Sequence, residues 1–324
     1  MKPSSRAFLA LAAILVIAGV SWLTETQASP PISQWVTVNM GEPLNSPYHE
    51  AFSTVTEDER TIYFGSNRPG GYSPADPDIP WPFASYDIWV AHRKSRRAPW
   101  GAPRILGPNI NTIHSEHSVS VSPDGRTMFF ASDRPGGCGG LDLYMSQRSD
   151  PRDDGGWGPP VNLGCTINSP YVDSCPIFRV DPDGTIKLYF VQANLDAPPD
   201  SFLDELKSLD LMVSDYDPAS NTFAAPRVFG LSTEYQDSHF DPINGFIWAN
   251  YPTGFGGGDI WISLERDGQW TNPINLGPDV NTQYEEQIPT SSPDGRRLYF
   301  ASDRPGGLGG VDLYLSTLRS RPGR

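Results

Sequence analysis

The chain has 324 residues, among them 33 prolines and 31 glycines, and its formal net charge at pH 7 is −14. An acidic chain repels phosphate backbones, which argues against nucleic acid as a partner. The high proline and glycine content suits a β protein with many turns better than a mainly helical fold.

The first 28 residues predict an export signal. Lys2 and Arg6 supply a positive start, an apolar run follows over 7–23, and Thr26-Gln27-Ala28 offers a small-residue cleavage site. No cysteine stands near this site, so a lipoprotein anchor is excluded. We expect a bacterial Sec-type signal peptide and a periplasmic or secreted protein. The alternative is an uncleaved membrane anchor, since the apolar run is close to the shortest that spans a bilayer.

Five internal repeats follow over 35–319. Each unit has a strand A, a turn such as SPDGR, a strand B such as TMFFAS, and a strand C that begins with the motif D-[LI]-[YWM]. The aspartates of this motif are Asp87, Asp142, Asp210, Asp259 and Asp312. A strand D follows four of the units, and the segment WVTVNMG (35–41) supplies a fifth D strand ahead of the first unit.

This arrangement predicts an all-β, five-bladed β-propeller, closed by the N-terminal strand joining the last blade and followed by a tail at 320–324. A residue found in every unit is expected to build the blade. We therefore interpret the strand C aspartates as acceptors of backbone N–H groups. The SPDGR and DPDGT segments are interpreted as type I turns and not as calcium loops.

The units of the form SPDGR-x-[LM]-[YF]-F-A-S-D-R-P-G-G resemble the WD-repeat-like repeats of TolB-type propellers, which occur in the bacterial envelope. The resemblance covers nearly all of the chain after the signal and is strongest in units 2 and 5. It implies a propeller fold and an envelope location. It implies no particular activity, because propellers host binding, scaffolding and catalysis alike.

One carboxylate stands at the same place before strand A of every unit. These ring acids are Glu50, Glu116, Asp173, Asp237 and Glu286. Strand A is the innermost strand of a propeller blade, so the ring acids are expected around one mouth of the central channel. His49, His114, His117 and His239 fall in the same short windows.

An arginine accompanies the ring acid in three units only. Arg68, Arg134 and Arg304 occur in the units whose ring acid is Glu, and the units with the shorter Asp lack it. We therefore predict structural ion pairs of these arginines with Glu50, Glu116 and Glu286. Asp173 and Asp237 then become candidates for a ligand or metal site, with His117 and His239. The alternative is that both aspartates cap loop backbone amides.

Two long B–C loops, 72–85 and 193–209, are expected over the same face. The first contains Trp81 and Phe83, and the second contains a short helix with Asp200 or Ser201 as its N-cap. Long loops on a rigid scaffold usually carry recognition, and aromatic rings beside carboxylates suit a sugar or a peptide. The alternative is that these loops merely cover the channel. The candidate ligand-binding residues are Asp173, Asp237, His239, His117, His49, Glu50, Glu116, Glu286, Trp81 and Phe83.

These observations favour an exported, non-enzymatic propeller that binds an envelope protein, a peptide or a glycan through this face. Contact with a membrane is expected only through a partner or an uncleaved signal. The alternative is a propeller hydrolase or lyase, either of the glycoside type, as in arabinanase-type propellers, or dependent on a divalent metal held by Asp173, Asp237, His239 and His117. A third hypothesis is a stabilising calcium in the ring.

No cofactor is predicted with certainty, and no G-x-S-x-G elbow occurs in the chain. Three cysteines, Cys138, Cys165 and Cys175, predict one disulfide and one free thiol in an exported protein. The sequence leaves all three pairings open.

Overall fold

A computed structural model describes residues 35–76, 78, 84–181, 183–193, 201–220 and 222–319. The predicted signal peptide (1–28), the tail (320–324), Trp81 and Phe83 lie outside these residues. Within the described ranges, no helix has the length and apolarity needed to cross a membrane.

The described chain forms five antiparallel blades. Before the first blade stands β1 (Trp35–Asn39). Blade 1 contains β2 (Glu50–Val55), β3 (Thr61–Ser66), β4 (Asp87–His92) and β5 (Arg104–Ile105). Blade 2 contains β6 (Glu116–Val121), β7 (Thr127–Ser132), β8 (Asp142–Gln147) and β9 (Val161–Asn162). Blade 3 contains β10 (Asp173–Val180), β11 (Ile186–Ala193), the helix α1 (Phe202–Lys207), β12 (Leu209–Asp217), β13 (Thr222–Phe223) and β14 (Arg227–Val228).

Blade 4 contains β15 (Asp237–Asp241), β16 (Phe246–Ala249), β17 (Asp259–Ile262) and, after the hairpin of β18 (Glu265–Arg266) and β19 (Gln269–Trp270), β20 (Ile274–Asn275). Blade 5 contains β21 (Glu286–Ser291), β22 (Arg297–Ser302) and β23 (Asp312–Leu318). Its fourth strand is β1, which lies antiparallel to β23 with Trp35 opposite Leu318 and Asn39 opposite Tyr314. The predicted five-bladed propeller, closed by its N-terminal strand, is confirmed.

Because neighbouring strands of a blade alternate in direction, the connections fall at two ends. The A–B turns and C–D loops lie at one end, which we call the turn end; in blade 1 they are 56–60 and 93–103. The B–C loops and the connections between blades lie at the other end, which we call the loop end; after β3 and β5 their described parts are 67–76, 78, 84–86 and 106–115.

The repeated motifs build these ends. In the SPDGR turns, Asp124 Oδ1 accepts the Arg126 N–H at 3.0 Å, and Gly125 adopts a positive φ of 70° that glycine tolerates best. At the start of strand C, the Asp142 carboxylate accepts the N–H groups of Cys138 and Gly139 at 2.5 and 3.0 Å. Asp87, Asp259 and Asp312 accept loop N–H groups in the same way.

The core lies between the facing sides of adjacent blades. Strands B and C supply most of it, because their apolar side chains are buried on both faces. Between blades 4 and 5, for example, Phe246 and Ile260 pack with Leu298, Phe300 and Tyr314. The blades are therefore held mainly by burial of apolar surface.

The structure also bears on two further predictions, the disulfide and the short helix of blade 3. A disulfide joins Cys138 to Cys165, which ties the B–C loop of blade 2 to the connection into blade 3, and Cys175 is a buried free thiol. The short helix is present as α1. Its N-cap is Ser201, whose side chain accepts the Asp204 N–H at 3.3 Å.

Candidate functional site

The three ring glutamates fasten the loop end of their own blades. The Glu116 carboxylate accepts the Thr112 N–H at 2.7 Å and the Thr112 and Ser132 hydroxyls at 2.8 Å, and it pairs with Arg134 at 3.1 Å. Blades 1 and 5 repeat this arrangement, with Glu50–Arg68 and Glu286–Arg304 distances of 2.9 Å. All three carboxylates are fully buried, so each staples a connecting loop to the end of strand B.

The two ring aspartates are bound in the same way by other donors. Asp173 accepts the Ser169 N–H at 2.6 Å and the Gln192 amide at 2.6 Å. Asp237 accepts the Thr233 N–H at 2.5 Å and the Tyr251 hydroxyl at 2.6 Å. Gln192 and Tyr251 thus replace the missing arginine. This corrects the expectation that Asp173 and Asp237 lack a partner and face a ligand, since both are fully buried in their own blades.

A cavity of about 270 Å³ opens at the loop end, at the centre of the propeller. Its described lining combines aromatic rings, amides, hydroxyls, one imidazole, one thiol, one ammonium and one carboxylate. The residues are Phe52, Ala84, Tyr86, His117, Leu141, Val172, Ser174, Cys175, Val191, Leu206, Lys207, Leu209, Gln236, Ser238, Trp248, Asn250 and Glu285. Mostly apolar walls with a few polar groups are typical of small-molecule sites.

Six of the 17 described lining residues come from positions that directly flank the ring acids. The residue before the acid contributes Val172, Gln236 and Glu285, and the residue after it contributes His117, Ser174 and Ser238. Every unit has a carboxylate at the ring position, whereas the residues beside it differ from unit to unit. Part of the cavity is therefore lined by positions at which the units differ.

A β-bulge in strand A helps to position these side chains. In blades 1, 2, 3 and 5 the residue two places after the ring acid has a positive φ, and pairing with strand B shifts register there. These residues are Phe52, Ser118, Cys175 and Ile288, with φ between 51° and 54°. Residues other than glycine rarely adopt this backbone conformation, so the surrounding sheets must stabilise it.

Glu285 is the one carboxylate among the described residues that line the cavity. Its Oε1 accepts the Trp248 indole N–H at 3.2 Å. A Cβ atom at Gly257 or Gly258 would collide with the carboxylate, and one at Gly258 would also collide with the indole nitrogen. The two glycines therefore form a cradle. Burial raises the pKa of Glu285, while hydrogen bonds from Gly258 and Trp248 act in the opposite direction.

Another part of the lining belongs to a hydrogen-bonded cluster that joins blades 2 and 3. His117 Nδ1 lies 2.8 Å from Ser118 Oγ, which lies 3.0 Å from Ser174 Oγ. The His117 ring stacks on Phe52 with centroids 4.3 Å apart. Burial lowers the pKa of His117 to about 3 and raises the pKa of Cys175 to about 11. At neutral pH the cavity therefore presents a neutral imidazole and a protonated thiol.

The other histidines do not line the cavity. His239 is buried, and its Nε2 lies 2.9 Å from the Pro289 carbonyl oxygen. His49 is buried, and its backbone forms an isolated β-bridge with Val311, just before β23. The described residues contain no group of three or more His, Cys, Asp or Glu side chains placed to hold a metal ion. Asp173, Asp237, His239 and His117, the predicted metal ligands, are thus not gathered into one site.

Both long insertions reach the cavity through their described parts. Ala84 comes from the first, and Leu206, Lys207 and Leu209 come from the second. Trp81 and Phe83, the predicted aromatic contacts, lie outside the described residues. Of the predicted ligand-binding residues that the structure describes, His117 lines the cavity. Glu285 was missed, although its window YEEQI holds two acids where the other four windows hold one.

A comparison with models of protein families found no match, and neither did a comparison with curated protein sequences. Solved structures do match the fold. An α-L-arabinofuranosidase from Podospora anserina, in complex with cellotriose, is 11% identical, with a TM-score of 0.52 over 89% of this chain and 97% of that one. An endo-arabinase from Bacteroides thetaiotaomicron is 13% identical, with a TM-score of 0.50 over 86% and 100%.

At these identities the likeness shows the five-bladed fold. Both named structures are glycoside hydrolases, so these matches give no support to the envelope and WD-repeat parts of the resemblance. The prediction of a non-enzymatic scaffold is wrong, because these matches favour the alternative of a propeller glycoside hydrolase over it.

Proposed function

We propose that the chain is a propeller glycoside hydrolase that cleaves a glycosidic bond in the loop-end cavity, with Glu285 as the proton donor. One observation carries the proposal: Glu285 is the one carboxylate among the described lining residues, and Gly257, Gly258 and Trp248 hold it in place. A carboxylic acid whose pKa is raised by burial stays protonated closer to neutral pH, which is what a general acid needs.

The rest of the cavity suits a sugar. The C–H faces of a sugar ring pack on aromatic side chains, and Phe52, Tyr86 and Trp248 supply three. The amides of Gln236 and Asn250 both donate and accept hydrogen bonds, which matches sugar hydroxyl groups. The volume is close to the lower end of the range for ligand pockets, about 300–1,000 Å³. We therefore assign a short segment of a glycan as the substrate.

Hydrolysis also requires a group that activates water. Glycosidases commonly use a second carboxylate for this step, and the described lining holds no second one. We assign the role to His117, whose imidazole is neutral at neutral pH and is oriented by Ser118. In this scheme Glu285 gives its proton to the leaving oxygen as the glycosidic C–O bond breaks. Water oriented by His117 then bonds to the anomeric carbon, and the proton that this water loses passes to the ionised Glu285 carboxylate.

The predicted signal peptide indicates where the protein would meet its substrate. The predicted signal peptide at 1–28 would direct the chain to the periplasm or outside the cell, where the protein would encounter polysaccharides. Export and location are proposals that rest on the sequence of this segment.

The test is release of reducing ends from arabinan, arabinoxylan and short xylo- and cello-oligosaccharides. We expect Glu285→Gln to lower the rate about 10²- to 10⁴-fold, as loss of a general acid does. Glu234→Gln, which changes a carboxylate beyond the cavity lining, should leave it unchanged. Binding of these sugars without cleavage by the wild type would refute hydrolysis. A product with a new double bond would indicate elimination by a lyase instead.

A further inference from the structure

The exposed aromatic side chains lie at the same end of the propeller as the cavity. Among the described residues, the exposed Phe, Tyr and Trp side chains are Tyr72, Tyr235 and Phe255, which are 41%, 42% and 50% exposed. All three stand in B–C loops or blade connections and therefore at the loop end. The exposed large apolar side chains described at the turn end and on the D strands are aliphatic. Surface suited to packing on sugar rings is thus concentrated around the cavity.

Tyr235 continues the wall that blade 4 contributes to the cavity. It directly precedes Gln236, which lines the cavity. Its ring packs edge to face on Tyr251, with centroids 6.1 Å apart. Tyr251 is itself fixed, because its hydroxyl donates to Asp237 at 2.6 Å. The half-exposed ring of Tyr235 is therefore supported at the edge of the cavity.

Phe255 belongs to the B–C loop of the same blade, close to the proposed acid. It stands between Asn250, which lines the cavity, and Gly257, where a Cβ atom would come within 2.1 Å of the Glu285 carboxylate. The loop is anchored at Phe255, whose N–H donates to the Asp259 carboxylate at 2.6 Å. We call the exposed rings of Tyr235 and Phe255 the blade 4 platform.

The loop end has few cations with which to bind an acidic sugar. The lysines and arginines in its described segments are Arg68, Arg134, Arg304 and Lys207. The three arginines pair with the ring glutamates at 2.9–3.1 Å, and 11–14% of their side-chain surface is exposed. Lys207 is exposed but pairs with Asp204 at 3.1 Å. Exposed carboxylates stand in the same segments, Asp78, Asp133 and Asp303 among them. Since carboxylate recognition relies on Arg and Lys, an uncharged glycan fits this face better than an acidic one.

We propose that the substrate is an uncharged glycan chain longer than the cavity, and that the blade 4 platform is the subsite for the part of the chain that leaves. The cavity of about 270 Å³ holds a short segment, so a longer chain continues outside it. The platform adjoins Glu285, which gives its proton to the leaving oxygen, and the leaving part therefore lies on it. This assignment rests on the proposed function.

The test is isothermal titration calorimetry of the full chain carrying Glu285→Gln, which keeps the oligosaccharides intact. The probes are arabinobiose and arabinohexaose, and xylobiose and xylohexaose. We expect one hexaose to bind at least about tenfold more tightly than its biose, because it reaches the platform. Tyr235→Ala/Phe255→Ala should abolish this gain and leave binding of the biose unchanged. The matched control, Ile243→Ala/Leu264→Ala, removes exposed apolar side chains from the turn end of the same blade and should keep the gain.

Equal affinity for biose and hexaose in both series would overturn the subsite, and so would a gain that survives the loss of both rings. If the wild type binds a hexaose on the platform without cleaving it, hydrolysis is refuted and the subsite stands. If it cleaves the chain while the double variant keeps the gain, the reverse holds. In a hexaose labelled at its reducing end, the leaving part keeps the label, so the wild type should give longer labelled products than the double variant. Shorter ones would place the platform on the other side of the cleaved bond.

The charge of the substrate is tested with a matched pair of ligands. They are xylotetraose with one glucuronic acid branch and the methyl ester of the same compound, which differ by one charge. We expect the acid to bind about threefold more weakly than the ester at low salt, and the two affinities to converge at high salt. Tighter binding of the acid that Lys207→Gln abolishes would overturn the assignment of an uncharged substrate, since Lys207 would then hold the carboxylate.

Discussion

Replacing Trp248 with phenylalanine should raise the pKa of Glu285. The indole N–H donates to Oε1 at 3.2 Å and stabilises the ionised carboxylate more than the protonated one. A hydrogen bond to a charged group contributes about 1.5–3 kcal/mol. One pKa unit corresponds to about 1.4 kcal/mol, and this bond is long, so we expect a rise of about one unit.

The measurement is an NMR titration of the Glu285 side-chain carbonyl carbon, with the resonance assigned by its absence from the Glu285→Gln spectrum. It needs no substrate. Trp157→Phe makes the same change at a buried tryptophan of blade 2 and should leave the titration of Glu285 unchanged. A fall in the pKa of Glu285 would mean that water admitted by the smaller ring outweighs the lost hydrogen bond. An unchanged value would show that the indole does not hold the carboxylate. Either result would refute the reasoning.

Two further predictions concern stability. The disulfide closes a loop with a sequence separation of 27 residues, so Cys138→Ser/Cys165→Ser should lower the free energy of unfolding by about 3.5 kcal/mol, measured by denaturant titration, and a loss below about 1 kcal/mol would contradict the chain-entropy reasoning. Burial lowers the pKa of His239 from its ordinary 6.5 to about 4, so the unfolded chain takes up a proton at this residue before the folded one does. As the pH falls from 6.5 to 4, the wild type should lose about 3 kcal/mol relative to His239→Gln, and parallel stability curves would show that His239 titrates normally.

The architecture could be predicted because it is repeated. Five copies of one motif show which residues build a blade, and a D strand displaced to the N-terminus shows how the ring closes. The short strand β13 and the hairpin of β18 and β19 could not be predicted, whereas β14 pairs with β12 as the predicted D strand of unit 3. β13 and the hairpin occur in one blade each, and strands of two residues give no periodic signal.

The site was harder to predict, for two physical reasons. The arginine missing from blades 3 and 4 is replaced by Gln192 and Tyr251, which are different residue types that reach the aspartates from different positions. An alignment of motifs shows that a donor is absent but not that another has taken its place. The cavity lining depends on bulges in strand A, which turn neighbours of the ring acids inward. That departures from the repeat indicate function stays a prediction. It concerns the residues beside the ring acids and not the ring acids themselves.

The pairing of β1 with β23 sets the order in which the protein can be completed. Thr37 and Ser316, which meet in this pair, are 279 residues apart in sequence. The first strand to be synthesised must wait for the last, so blades 1 to 4 can form on a growing chain whereas blade 5 cannot. Until β23 has been synthesised, β1 and the open side of the ring remain unpaired edges that can associate with other chains. Pairing of β1 with β23 removes these edges, so the synthesis of β23 is the step that ends this exposure to aggregation.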